Sequence, residues 1–286
     1  MENIEINAPK GGEVVDTLVR DIMHEGVIRC SSEISLGQVA RLLALHHVHS
    51  LFVSENDEFP LGVITDYDLM AGEWLSGDPK NLEIMRSMTA GELMSSPVES
   101  VESNTKADEA AMRMRRDEIR RLLVVENDSP VGVISVSDFI SELATMAPLK
   151  REKVSDVMSD AYLVCRDKTP ITAVARAMKD SGWRSVVVAD AHGKPLGIFS
   201  GLDLLACCDL ENIPDSYLVT DAMHDPLKIG MDASLQEAAQ MMINYHHHRI
   251  LVIDKDHPDS LPLGVISSFD IVSEMARPES VWQTKP

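Results

Sequence analysis

The sequence predicts an α/β (α+β) fold made of one β-α-β-β-α unit repeated four times. Three observations predict it. First, a motif of Gly, two apolar residues, Ser or Thr, two variable residues and Asp recurs four times. It reads Gly62-Val63-Ile64-Thr65-Asp66-Tyr67-Asp68, Gly132-Val133-Ile134-Ser135-Val136-Ser137-Asp138, Gly197-Ile198-Phe199-Ser200-Gly201-Leu202-Asp203 and Gly264-Val265-Ile266-Ser267-Ser268-Phe269-Asp270. Its last Asp returns at intervals of 70, 65 and 67 residues. Second, a landmark ending in Met23, Met94, Met158 or Met223 lies 39, 38, 39 or 41 residues before each Gly. Third, a helix pattern and then a strand pattern fall between the two landmarks every time. Self-similarity at a fixed period marks a repeat architecture.

The elements follow in order. Leu36, Val39, Ala40 and Leu43 fall at i, i+3, i+4 and i+7, which is one face of an amphipathic helix. Ala107, Ala110, Ala111 and Met114 repeat that spacing, as do Ile171, Val174, Ala175 and Met178, and Leu235, Ala238, Ala239 and Met242. Short apolar runs come next at Leu51–Val53, Leu122–Val125, Val186–Val188 and Ile250–Ile253. They are too short for helices and rich in β-branched residues, so they read as buried strands. Turn formers such as Asn56-Asp57, Asn127-Asp128-Ser129-Pro130 and His192-Gly193-Lys194-Pro195 lead into the Gly-initiated strand. A second helix begins around each motif Asp.

The chain has 286 residues, 44% hydrophobic and 25% charged, which is ordinary for a globular protein. Lys and Arg number 26 against 46 Asp and Glu, a net charge of −20. Residues 1–147 hold 26 acids and 12 bases; residues 148–286 hold 20 and 14. Such a surface repels phosphate backbones and anionic membranes, so binding to nucleic acid is disfavoured. No apolar stretch approaches a membrane span, and Met1-Glu2-Asn3-Ile4-Glu5-Ile6 does not read as a secretory signal. Cys30, Cys165, Cys207 and Cys208 form no CxxC pair, and a reduced cytoplasmic protein is expected.

The motif suits a nucleotide. An Asp at a helix start can accept hydrogen bonds from ribose hydroxyls. Thr65, Ser135, Ser200 and Ser267, with the helix N–H groups, can donate to phosphate. Apolar neighbours such as Val133 and Val265 can sandwich a purine. The same residues also suit an ordinary N-cap, so both readings stand.

On these two landmarks the sequence resembles tandem CBS domains, named for cystathionine β-synthase, over residues 15–278. The likeness extends in architecture to the γ subunit of AMP-activated protein kinase. It implies units at 15–75, 86–147, 150–208 and 215–278, paired into two Bateman modules, 13–147 and 148–278, joined at Ala147-Pro148-Leu149-Lys150. It implies clefts shared by the two repeats of a module, with Asp138, Asp270, Asp203 and Asp68 on the ribose. The Asp138 cleft would use Ile28, Val48, His49 and Ser50. The Asp270 cleft would use Leu163, Trp183, Arg184 and Ser185. The Asp203 cleft would use Leu227, His247 and His248, and the Asp68 cleft Glu99, Ile119 and Arg120. Glu99 departs from the pattern, since a carboxylate beside a purine is costly to desolvate. Arg121 and Arg249 match phosphate-binding positions, and Arg forks fit phosphate oxygens.

The function implied is a regulatory sensor of AMP, ADP, ATP or another adenosyl ligand, with Mg²⁺ arriving only with a nucleotide and a separate protein partner as reader. S-adenosylmethionine, NAD, a cyclic dinucleotide, or a scaffold with non-functional pockets are the alternatives, and monomer and homodimer are both open. No catalytic signature stands out, so an enzyme is not expected. The run His246-His247-His248 diverges in direction and does not suggest a metal site. His49 and His248 are expected to tune phosphate binding with pH. Cys30 and Cys165 read as small buried residues.

Overall fold

The computed structural model describes residues 17–55, 59–71, 79–145, 152–207 and 216–277. Residues Met1 to Ile6, the turn at Asn56-Asp57, the joint at Ala147 to Lys150 and the side chains of Cys207 and Cys208 lie outside them.

The first repeat comprises α1 (Val19–Ile22), β1 (His24–Glu25), β2 (Arg29–Cys30), α2 (Leu36–His46), β3 (Ser50–Val53), β4 (Gly62–Thr65), α3 (Asp66–Ala71) and α4 (Pro79–Ser87). The second has α5 (Ala90–Leu93), β5 (Ser100–Glu102), α6 (Ala107–Arg116), β6 (Arg121–Glu126), β7 (Ser129–Ser135) and α7 (Val136–Thr145). The third has α8 (Val154–Val157), β8 (Leu163–Arg166), α9 (Ile171–Ser181), β9 (Ser185–Ala189), β10 (Pro195–Ser200) and α10 (Gly201–Cys207). The fourth has a 3₁₀ turn (Val219–Asp221), β11 (Lys228–Gly230), α11 (Leu235–Tyr245), β12 (Arg249–Ile253), β13 (Gly264–Ser267) and α12 (Ser268–Met275).

Each repeat folds by the predicted logic. The i, i+3, i+4, i+7 residues of α2, α9 and α11 are buried against the repeat's own strands and the neighbouring helices. Ser35 and Ser234 cap α2 and α11 by accepting the N–H of Gln38 and Glu237. The amphipathic helix carries the chain between two parallel strands, and a hairpin adds the third strand antiparallel. Between β6 and β7 the hairpin turns through Asn127 and Asp128, both at positive φ (50° and 62°), as a tight turn between twisted strands requires.

The repeats are tied in pairs by exchange of strand edges. The residue after each landmark Met pairs with the Gly-initiated strand of the other repeat. His24 pairs with Val133, and Ser95 with Val63. Ser159 pairs with Val265, and His224 with Ile198. This crossing explains the motif glycine. A Cβ at Gly264 would lie 2.5 Å from the Ser159 carbonyl oxygen, and one at Gly132 would run into that of His24. Facing sheets then bury Phe52, Leu123 and Val125 in one pair, and Val187, Ile198 and Leu251 in the other. Repeats 1 and 2, and repeats 3 and 4, are therefore the two sheet-packed modules.

The modules meet through helices. One core joins repeats 2 and 4 through Met114, Phe139, Leu143, Met242 and Ile271, with α7 against α11 and α12. The other joins repeats 1 and 3 through Leu36, Leu43, Met178, Phe199 and Leu204, with α2 and α3 against α10. Every repeat thus buries its sheet on one neighbour and its helices on another. The starts of the four motif helices converge at the centre.

Candidate functional site

In all four repeats the motif Asp is the third residue of its helix, and its carboxylate turns back on the end of the strand. Oδ2 accepts the backbone N–H of Thr65, Ser135, Ser200 or Ser267 at 2.7, 2.6, 2.7 and 2.8 Å. It also accepts the hydroxyl of the same residue at 2.7, 2.8, 2.6 and 2.6 Å. The cap is therefore real in every copy. A hydroxyl has one proton, and here it is given to the carboxylate. In this arrangement the hydroxyls of Thr65, Ser135, Ser200 and Ser267 are engaged by the carboxylate.

The second carboxylate oxygen distinguishes the copies. Asp138 Oδ1 meets His24 Nδ1, and Asp203 Oδ1 meets His224 Nδ1 at 3.0 Å. Both histidines follow a landmark Met and reach the Asp of the paired repeat. The equivalent residues at the other two copies are Ser95 and Ser159, and among the described residues no side-chain hydrogen bond or ion pair reaches Oδ1 of Asp68 or Asp270. Burial raises the carboxyl pKa of Asp68 and Asp138, with the Thr65 or Ser135 hydrogen bonds opposing it.

Two cavities open onto these groups. The first, about 560 Å³, is lined by Ile28, Val48, His49, Ser50 and Val133 on one wall and by Ser135 and Asp138 at the motif helix. The second, about 820 Å³, is lined by Leu163, Trp183, Ser185 and Val265, with Ser267 and Asp270. Both volumes suit a small organic ligand. Ile28 and Trp183 are partly exposed at 40% and 37%, as residues on a cleft wall are. Arg120, Arg184 and Arg249 line both cavities, and Arg121 and His248 line the first. At the Asp203 copy His224 stacks on His247 with ring centroids 4.1 Å apart, and Leu227 packs against the core. Thr65 and Asp68 line neither cavity. Glu99 turns away to pair with the Arg113 guanidinium, so its charge is met by a cation rather than pressed onto an apolar ligand.

The cations gather against the trend of an acidic chain. Arg120 lies over the Phe269 ring at 4.7 Å, and Arg184 over Tyr67 at 4.4 Å, each reaching across to the other module. Burial, then repulsion from Arg184 and Arg249, push the Arg120 guanidinium down to about 9, which leaves it charged at neutral pH. Burial likewise pushes Arg121 down to about 10 and lowers Arg249. Burial, with His49 and Arg249 beside it, drives His248 down to about 3. His248 is thus a neutral ring at physiological pH.

Sequence reasoning missed Asp66, His24, His224, Tyr67 and Phe269. Asp66 is buried among the arginines and bonds His49 Nδ1 at 2.9 Å. Its position within the motif was visible, but its neighbours lie in other repeats. His24 and His224 had a signal in their shared place after Met. The histidine run diverges: His246 caps α11 at φ 55°, His247 faces His224, and His248 meets His49 edge-on at 5.1 Å. Among the described residues no group of three or more His, Cys, Asp or Glu is placed to hold a metal ion. Burial pushes the Cys30 and Cys165 thiols up to about 11, so neither is a ready nucleophile. No helix among the described residues is long and apolar enough to cross a membrane.

These features define a class: tandem repeats paired edge to edge, with small-molecule clefts between them and cations at the centre. The model of the CBS domain matches residues 19–72, 90–145, 154–208 and 219–277, and the chain belongs to that family. Over 202 residues it is similar, at 25% identity, to the uncharacterized protein MJ1404 of Methanocaldococcus jannaschii, a match covering 69% of this chain and 46% of that one. Over 123 residues it is 28% identical to the uncharacterized protein MK0525 of Methanopyrus kandleri, covering 42% and 63%. The chain thus spans less than two thirds of the length of either relative. In structure it is similar to protein MJ1225 of M. jannaschii, a candidate archaeal homologue of γ-AMPK. The TM-score is 0.78 at 17% identity, over 91% of this chain and 100% of that one, a likeness of fold.

Proposed function

We propose that this protein is a regulatory ligand sensor, working in the cytoplasm, that binds an adenine nucleotide or another adenosyl ligand and is read by a separate protein. The units at 15–75, 86–147, 150–208 and 215–278 act as the two modules 13–147 and 148–278. One observation carries the reading. In the first cavity an apolar wall, the Asp138 carboxylate and four arginines border one space of about 560 Å³. Those are the groups that a base, a ribose and phosphates each call for. The purine lies against Ile28, Val48 and Val133. The ribose hydroxyls bond Asp138 Oδ1, displacing the exposed His24 ring. Phosphates face Arg121, Arg120, Arg184 and Arg249. The second cavity offers the same kinds of group through Trp183, Leu163, Asp270 and the shared arginines. Signalling follows from linkage: a ligand that touches both modules favours one arrangement of them, and a partner that prefers that arrangement responds.

Calorimetry and thermal shift with adenosine, AMP, ADP, ATP, S-adenosylmethionine, NAD and cyclic dinucleotides test this. A binding ligand at about 100 times its Kd raises stability by roughly 2.7 kcal/mol. Asp138→Ala and Asp270→Ala should each weaken the response. A chain indifferent to the whole panel would be a scaffold with non-functional pockets.

A further inference from the structure

The position after the motif Ser or Thr is Asp66, Val136, Gly201 or Ser268, and all four are buried at the start of a helix. Asp66 is the charged one. Its Oδ2 meets His49 Nδ1 at 2.9 Å and its Oδ1 accepts the Tyr67 N–H at 2.9 Å. It lines the first cavity beside Arg120, Arg121, Arg184 and Arg249. Gly201 of the other module stands opposite, where a Cβ would lie 3.3 Å from Asp66 Oδ2. The carboxylate therefore sits at the junction of the modules, in the cavity that the four arginines line.

A buried carboxylate resists ionisation unless cations hold it. Asp66 is held below the usual range in spite of burial, by the His49 hydrogen bond and charge and by the charges of Arg121 and Arg184. In turn it is a counter-charge for Arg120, Arg121 and Arg249. We propose that Asp66 is a resident counter-anion that limits how many phosphate charges the arginine cluster accepts. The site then favours a monophosphate over a triphosphate. A short phosphate chain reaches the arginines nearest Asp138. A longer one advances toward Asp66 and either competes with it for the same guanidinium groups or meets its repulsion. Between unit charges at a partly buried site, that repulsion amounts to about tenfold in affinity or more for each added charge. The inference rests on the phosphate end of the proposed site and not on the base.

Calorimetry on the full chain uses orthophosphate, pyrophosphate and tripolyphosphate, beside AMP and ATP. Wild type, Asp66→Asn and the surface control Asp232→Asn are compared; Asp232 pairs with Lys153 away from the cavities. Asp66→Asn is expected to tighten tripolyphosphate about tenfold more than orthophosphate, and ATP more than AMP, while the control leaves both ratios unchanged. Unmoved ratios in Asp66→Asn, an equal shift in the control, or no polyphosphate binding to Asp66→Asn overturns the proposal. A moved polyphosphate ratio without adenosyl binding keeps the counter-anion and removes the nucleotide reading; adenosyl binding with an unmoved ratio does the reverse. If Asp66→Asn is too unstable to isolate alone, it is purified in tripolyphosphate. The anion should then raise its Tm more than that of wild type, and an equal or smaller rise overturns the proposal.

Discussion

At the scale of the residue, the motif Asp divides its labour between its oxygens. Oδ2 holds the helix start, while Oδ1 meets a histidine at Asp138 and Asp203. Substitutions should separate the two duties. Asp138→Ala loses the cap and is expected to cost about 1 kcal/mol of stability, together with at least tenfold in affinity for the adenosyl ligand. Asp138→Glu keeps the charge but misplaces it, and is expected to lose affinity as well; thermal unfolding beside calorimetry checks both. Gly264 is constrained by the strand crossing it. Gly264→Ala should destabilise by roughly 1–3 kcal/mol, because a Cβ there overlaps the Ser159 backbone. His248 carries a pH signature. Its folded pKa, about 3, lies below the ordinary value of about 6.5. Between those values the unfolded chain binds a proton that the folded chain does not, so stability rises with pH across that window. The contribution is complete above the unfolded value and is lost as pH falls toward the folded one. His248→Gln should therefore shallow the acid limb of a stability–pH curve by roughly one proton.

At the scale of the element, two guanidinium–aromatic stacks join one module to the other. Arg120 and Arg184 precede the central strands of repeats 2 and 3, and each rests on the residue before a motif Asp in the facing module. The stacks fix the planes of two arginines that line both cavities. Phe269→Leu keeps the apolar volume and removes the ring face. It is expected to weaken AMP about two- to fivefold through loss of the cation–π contact, and to leave adenosine nearly unchanged. Equal loss for both ligands would place the effect in the base cleft instead.

At the scale of the molecule, charge and packing act together. A net charge of −20 surrounds a central group of four arginines with the Asp66 carboxylate among them. Anions of low molecular charge can be drawn to the centre, while large polyanions meet the acidic exterior first. The helix cores join repeat 1 to 3 and repeat 2 to 4, so neither module completes its core alone. Separately expressed halves, 13–147 and 148–278, should therefore associate with each other when mixed. Sedimentation velocity would show the mixed species, and halves that stay monomeric and fully folded apart would contradict the shared cores.

The repeat, its helices and its buried strands were legible because each is written in local periodicity. Leu36, Val39, Ala40 and Leu43 announce a buried face whatever that face meets. The motif acids stand out through their fixed offset from Gly, and Arg121 and Arg249 through the family resemblance. Periodicity reports that a face is buried, and it does not report the partner. Which repeats share sheets and which share helices was settled by tertiary packing across intervals of 65 to 70 residues or more. That packing brought His24 to Asp138 and His224 to Asp203, turned Glu99 to Arg113, and moved His248 into surroundings where its charged form is disfavoured. It also placed Asp66, one variable residue of a motif, among cations from three other repeats. Sequence by itself determined the four repeated units and the residue types that each motif carries. The meeting of charges at the centre was decided by the tertiary structure, because electrostatic energy depends on distance in space and on burial, and neither is carried by spacing along the chain.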